Sequence, residues 1–553
     1  MRAEDTERSL HKLAELRGIE LSYVGHDGRT VKASTDTLTG VLGALGYPVP
    51  NAGAIREQLR LAREERRVPS PEPFAASEAP QARRPAERGV AVTTPLYAVR
   101  GRDDWGIGSF RDLRELADLA ATWRANLIGT LPIFAISTDR PIDPSPYLPI
   151  SRLFWNELHV DVAGAAALAG CDTPEAMRPD PLVRAGAAVD YDTVAHAKRE
   201  ALEACATAMH EADGRRRNAF ERFVTEHEEL ASYAAFRANG DERAAQYHRF
   251  VQFAADRQLA DAKDHGDALG IGLYLDLPVG VHPNGYDTWA NPDLFADAQV
   301  GAPPDALAAS GQAWGFPPLH PQRLRDSGYR YFIESLRVAL RYARCIRIDH
   351  ILGLQRLYWI PAGMDATSGA YVKYRHDELL AIVAFEAKRA GATVIGEDLG
   401  TVSPEIRQAM DDYGILHSFV SRFEASPDNP LPQPSQPAAA SLGTHDLPRF
   451  ATFWNDPASR ELVAVGVPEP DRALRLCLEA LAAGPAAYVI ADLADLVGET
   501  VPDNRPGTGP EAGNWRRRLP LSLAELANDE ATRQLMCRLA DLRSNAPKEA
   551  ITR

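Results

Sequence analysis

The run Cys345-Ile346-Arg347-Ile348-Asp349-His350-Ile351-Leu352 (CIRIDHIL, residues 345–352) is short, apolar without strict alternation, and carries an acid at Asp349. That character is what a parallel strand requires when helices cover both of its faces, because neither side meets water. Seven further runs share it: VAVTTPLYAV (90–99), NLIGTLPIF (126–134), IGLYLDLPVG (271–280), TVIGEDLG (393–400), LHSFVSRFE (416–424), ASLGTHDL (440–447) and AAYVIADL (486–493). Helical stretches lie between them. Eight such runs predict an α/β fold built as a closed (β/α)8 TIM barrel. An open doubly wound sheet has the same local pattern, but polar residues gather at the C-terminal ends of several different runs, where barrels build their sites.

The remaining chain divides around this frame. Residues 1–66 read as a small N-terminal α/β module, with Leu10, Leu13 and Leu16 at helical spacing, a turn at His26-Asp27-Gly28, and Leu38, Val41, Leu42 and Leu45 on a second helical face. Residues 67–89 carry Pro69, Pro71, Pro73, Pro80 and Pro85, a composition that suits a linker. The catalytic barrel is expected over 90–553, with a helical insertion at about 160–265 and C-terminal helices.

Composition narrows the class of partner. The 553 residues hold 61 Lys plus Arg against 76 Asp plus Glu, a formal charge of −15, so neither nucleic acid nor a membrane surface is an expected partner. The charged N-terminus MRAEDTERSLHKLAELRG has no apolar signal region, and a cytoplasmic location is expected. Cys171, Cys205, Cys345, Cys477 and Cys537 are scattered and read as reduced packing residues. The arginine clusters 215–217 and 516–518 read as solvated helix faces on this acidic background.

Three runs end in acids: Arg347-Ile348-Asp349-His350, Gly396-Glu397-Asp398-Leu399-Gly400 and Gly443-Thr444-His445-Asp446. Acids brought to one barrel mouth from separate strands suit glycoside cleavage, in which one carboxylate attacks and another serves as acid and then base. Each alone could be a salt-bridged strand terminus. Arg347 stands two residues before Asp349, hence on the same strand face, and can hold that acid ionised. A metal site is the main rival for Asp349, His350, Glu397, His445 and Asp446. No HxH or HExxH spacing presents two imidazoles from one element, so we expect no metal and no cofactor. GxSxG, GxxxxGK[ST] and GxGxxG motifs are missing too, which argues against serine hydrolase and nucleotide chemistry.

Six segments in order carry a more specific signal: SPYLPISRLFWNELHVDV (145–162), DLPVGVHPNGYDTWANPDLF (276–295), GAPPDALAASGQAWGFPPLHP (301–321), RIDHILGLQRLYWIPAGMDATSGAYVKY (347–374), GEDLGTVSPEI (396–406) and GTHDLP (443–448). Together they strongly resemble the amylomaltases of glycoside hydrolase family 77. Asn504-Arg505-Pro506-Gly507-Thr508 with Asn514-Trp515-Arg516 looks like that family's ending. By the resemblance, Asp349 is the expected nucleophile, Glu397 the general acid/base and Asp446 the acid that stabilises the transition state. The same resemblance puts Ser145, Tyr147, Asp276, Gln312, Trp314, Arg347 and His445 on the substrate, with Tyr147 and Trp314 as aromatic platforms for the apolar faces of sugar rings. Trp359, Tyr358 and most other aromatics read as core. The Gly and paired Pro of 301–315 read as a mobile loop over the cleft. Leu148 stands where family members usually carry a polar residue.

The resemblance therefore implies a 4-α-glucanotransferase acting on maltooligosaccharides and other α-1,4-glucans. Two other readings use the same residues: a hydrolase of α-1,4-glucans, and a non-catalytic α-glucan-binding protein.

Overall fold

Eight parallel strands close into a barrel in chain order: β1 (Gly89–Thr93), β2 (Leu127–Gly129), β3 (Gly272–Leu277), β4 (Ala343–Ile348), β5 (Thr393–Gly396), β6 (Leu416–Val420), β7 (Ala438–Ser441) and β8 (Tyr488–Asp492), with β8 returning to β1. The computed structural model describes residues 3–25, 27–65, 81–85, 87–305, 308–400, 402–462 and 466–545. Each of the eight apolar runs supplies one barrel strand. The run at 126–134 is shared: only Leu127–Gly129 joins the barrel, whereas Phe134–Ala135, beyond Pro132, pairs antiparallel with Ser151–Trp155 outside it. Proline has no N–H to give to a ladder, so the barrel strand stops before it.

Period-two alternation sorts the strand residues into layers. Ala91, Leu127, Tyr274, Cys345, Ile395, Leu416, Ala439 and Tyr488 pack together as an apolar floor inside the barrel. Gly129 leaves room for this layer, because a Cβ there would lie 2.6 Å from the Tyr274 ring. The residues two further along β1, β3, β4, β5, β7 and β8 are Thr93, Asp276, Arg347, Glu397, Ser441 and Ile490, and they line a cavity of about 130 Å³ directly above that floor. Register supports one of these neighbours: Arg347 of β4 pairs with Asp276 of β3.

Between β2 and β3 lie long helices at Tyr191–Glu211, Gly214–Glu226, Glu229–Ala238 and Glu242–Ala268. A second excursion forms a four-stranded antiparallel sheet, ordered Ala370–Lys373, Arg356–Pro361, Ala298–Ala302 and Gln312–Ala313. Tyr358 and Trp359 in it are fully buried, as expected of core aromatics.

The N-terminal residues form helices Ala3–Leu16, Thr35–Ala44 and Ala52–Glu65 around a hairpin of Ser22–Val24 with Thr30–Lys32, and Leu10, Leu13, Leu38, Val41 and Leu42 are buried. His26 of the expected turn lies outside the described residues. This module docks on the second sheet. Ile19 bridges to Val372, Glu20 pairs with Arg356, and helix Thr35–Ala44 lies so close that a Cβ on Gly40 would stand 2.7 Å from Pro361. Of the expected linker, residues 67–80 and 86 lie outside the described residues; Ala82 donates its N–H to the Tyr413 carbonyl, and Gly89 already opens β1.

The arginine clusters differ from expectation in one case. Arg215 and Arg216 are exposed on a helix, but 516–518 is not helical and is largely withdrawn from water. Arg518 is 1 % exposed and donates to Asp104 Oδ2 (2.6 Å) and to the Arg184 and Val99 carbonyls, while Arg517 pairs with Glu499. Their partners are far away in sequence, so charge runs alone could not show that these cations are neutralised inside the protein.

Candidate active site

Asp349 leaves the end of β4 facing the barrel mouth, because it continues the period-two face of Cys345 and Arg347. Arg347 Nη2 reaches Asp349 Oδ1 at 2.9 Å, and Arg347 Nη1 donates to both oxygens of Asp276 at 2.8 Å. Tyr147 donates its hydroxyl to Asp276 Oδ2 at 2.7 Å and stacks on the His445 ring at a centroid distance of 4.5 Å. His445 in turn stands 3.3 Å from Asp446. With the Tyr147 hydroxyl also 3.2 Å from His445 Nδ1, an unbroken line of polar contacts joins Asp446, His445, Tyr147, Asp276, Arg347 and Asp349.

Glu397 follows β5 and is held differently. Its carboxylate accepts the backbone N–H of His350 (2.9 Å) and of Leu399 (3.0 Å). His350 achieves this with a φ of +41°, a left-handed conformation that a non-glycine residue seldom adopts. Its ring meets Trp314 edge to face at 5.1 Å, so His350 serves the site through its backbone as well as its ring.

Ser145, Tyr147, Gln312, Trp314, Arg347, Asp349, Glu397, His445 and Asp446 all line one cleft of about 1800 Å³. Asp276 does not; it lines the small cavity beneath, 5 % exposed, with its oxygens taken by Arg347 and Tyr147. Gln312 and Trp314 share one wall, and the indole N–H donates to the Gln312 amide oxygen at 3.3 Å. The expected mobile loop is tied down at this wall. Trp314 donates its N–H to the Val300 carbonyl, and Val300 donates to the Phe316 carbonyl.

A family model described as 4-alpha-glucanotransferase matches residues 94–244 and 238–523. The chain belongs to glycoside hydrolase family 77. The 4-alpha-glucanotransferase of Mycobacterium tuberculosis is 34% identical, over 78% of this chain and 71% of that one. Among solved structures, the amylomaltase from Corynebacterium glutamicum superposes with a TM-score of 0.84 at 26% identity, covering 97% of this chain and 99% of that one. An amylomaltase from Streptococcus agalactiae in complex with acarbose shares the fold, with a TM-score of 0.73 at 20% identity over 83% of this chain and 100% of that one.

The three acids of the cleft sit in distinct electrostatic settings. Burial pushes Asp349 up to about 6 against the pull of Arg347, with Asp276 and Glu397 adding to the rise. Burial also raises Glu397, opposed by Arg347 and by the two backbone N–H groups. Asp446 goes the other way: it is nearly half exposed, and His445 and the Asn504 amide bring it down to about 2. His445 rises above the usual histidine value, because the Asp446 carboxylate outweighs burial.

Two neighbours of this site carried no role in the sequence reading. Asn504 donates from Nδ2 to Asp446 Oδ1 at 2.6 Å, and Trp515 lies 5.6 Å from both the Tyr147 and His445 rings. Both belong to the closing stretch of the family resemblance, which was the only signal available for them.

Proposed function

We propose that this family 77 chain cleaves an α-1,4-glucan and passes the glycosyl part to the 4-hydroxyl of a second glucan or of glucose, with retention of configuration. Glu397 protonates the leaving glycosidic oxygen while Asp349 attacks the anomeric carbon, forming a β-linked glycosyl ester. The acceptor hydroxyl then gives its proton to Glu397 and displaces Asp349, which restores the α-linkage and returns both acids to their starting states. Asp446, kept anionic beside His445, stabilises the positive charge that develops on the sugar ring. Arg347 keeps Asp349 aimed, and Asp276 acts through Arg347 and Tyr147.

The observation that carries this reading is how two acids in one cleft are held: Asp349 is bound directly by the Arg347 guanidinium, whereas the Glu397 carboxylate is held by two backbone N–H groups and, among the described residues, pairs with no side-chain cation. That is the division between a nucleophile and an acid. The cleft exceeds the roughly 300–1,000 Å³ of small-ligand pockets, which supports a chain-like substrate. Tyr147 and Trp314 offer ring faces for its sugars, with Ser145 and Gln312 as polar partners. The scheme needs only side chains. A cytoplasmic setting is supported by five free cysteines. Among the described residues, no helix is long and apolar enough to cross a membrane.

Incubation with maltotriose tests the proposal. The wild type is expected to give glucose and a ladder of longer sugars, and Glu397→Gln to give neither above background. Only shorter products from the wild type would make the chain a hydrolase. Equal background from both would leave a binding protein.

A further inference from the structure

Asp446 lies on a segment that is not itself a strand, between β7 and helix Phe450–Asn455, and something must hold it where the developing charge will be. Asn504 provides one contact to its carboxylate. Asn504 comes from the other side of the mouth, after β8, in a stretch with no regular structure. An exposed carboxylate and a half-buried amide on irregular backbone do not keep a 2.6 Å contact unless their segments are fastened together.

The fastening is a buried arginine. Arg449 is 6 % exposed and stands three residues after Asp446. Its Nη1 donates to Asp492 Oδ1 at 3.0 Å, at the C-terminal end of β8. Its Nη2 donates to Asp503 Oδ2 at 2.6 Å, and its Nε to the Val501 carbonyl at 3.4 Å. The other oxygen of Asp503 accepts the Tyr97 hydroxyl at 3.0 Å, so Asp503 is fixed from the β1 side as well. Asp503 also takes the Trp515 N–H on its backbone carbonyl, at 2.8 Å. The next residue is Asn504, whose N–H donates to the His445 carbonyl at 3.2 Å.

We propose that Arg449 is a positioning residue for the transfer reaction: by clamping Asp492 and Asp503 it holds the segment after β8 against the segment after β7, so that Asn504 keeps Asp446 oriented. This rests on the role given to Asp446 above. A guanidinium suits the task because its planar fork reaches two carboxylates and a carbonyl in fixed directions, which a lysine ammonium on a flexible stem does not. The clamp never touches the sugar. Its loss should therefore weaken the step in which Asp446 meets developing charge, while leaving ground-state glucan binding in place.

The test is a double-mutant cycle in the full chain, with Arg449→Lys, Asn504→Ala and both together, read as kcat and KM on maltotriose. Arg449→Lys is expected to lower kcat by about tenfold or more with KM within about twofold. Combined with Asn504→Ala it should add little to the loss, because both act through one contact. Asp503→Asn serves the same cycle if the lysine variant does not fold. Wild-type kcat in a folded Arg449→Lys or Asp503→Asn, or losses fully additive with Asn504→Ala, would overturn the inference. Asp446→Asn separates the two ideas. If it retains wild-type kcat, the role of Asp446 itself is wrong; if it is inactive while the clamp variants are not, only the clamp is.

Discussion

As the proposed nucleophile, Asp349 must be ionised to attack, and it stands in a cleft that disfavours its charge. Arg347 opposes burial without fully offsetting it, and the carboxyl remains at about 6 instead of the usual value of about 4. The sign of the consequence follows directly. Above about 6 this carboxyl is an anion; as pH falls through 6 it takes up a proton and the proposed attack is lost. We therefore expect the acid limb of kcat/KM on maltotriose near pH 6, and Asp349→Asn to be inactive at every pH. An acid limb near 4 would mean that Arg347 wins over desolvation. At this scale the sequence was legible where contacts are local. Arg347 and Asp349 share a face because they are two residues apart. The Arg347 pairing with Asp276 spans 71 positions and depends on the register of β3 with β4, and the Asn504 contact with Asp446 spans 58. No spacing within a single run encodes either.

The eight barrel strands were legible because each is an apolar run bounded by helical pattern. The antiparallel sheet at 298–373 was not. Its strands are short, one of them only two residues long, and they are interrupted by Gly and Pro that read as loop. What turns Gln312–Ala313 into a strand is a close approach to Ala298–Ala302, and Gly301 permits it: a Cβ at that position would lie 2.0 Å from the Gln312 carbonyl oxygen. Gly301→Ala must prise the edge strand away, at an overpacking cost of roughly 1–3 kcal/mol. Because Gln312 and Trp314 ride on that edge, the cleft wall that we propose holds the acceptor glucan moves, while Asp349 and Glu397, just beyond β4 and β5, stay in place. We expect the ratio of hydrolysis to transfer to rise by more than about twofold, since acceptor binding no longer offsets the advantage of water in concentration. The measurement is reducing ends gained per glucose released from maltotriose. An unchanged ratio would show that this wall does not select the acceptor.

Across the whole molecule, the N-terminal module and the cleft are joined through this same sheet. The helices of the module were readable from their Leu and Val spacing, but where the module docks was not, since Ile19 meets Val372 and Glu20 meets Arg356 only after both parts have folded. A chain beginning at Gln81 should expose Pro361 and Val372, melt at a lower temperature, and still break α-1,4 bonds, because none of the acids is touched. Mechanically, the sheet is a beam. Its root is gripped by residues 18–20, where Gly18 accepts the Lys373 N–H and Glu20 donates to the Tyr371 carbonyl, and its tip carries Trp314 on the wall of the cleft. A beam released at its root bends most at its tip. The shortened chain should therefore betray its loss in the spread of product lengths from a long maltodextrin, well before any fall in total turnover, and a product ladder identical to that of the full chain would show that the tip is stiff on its own.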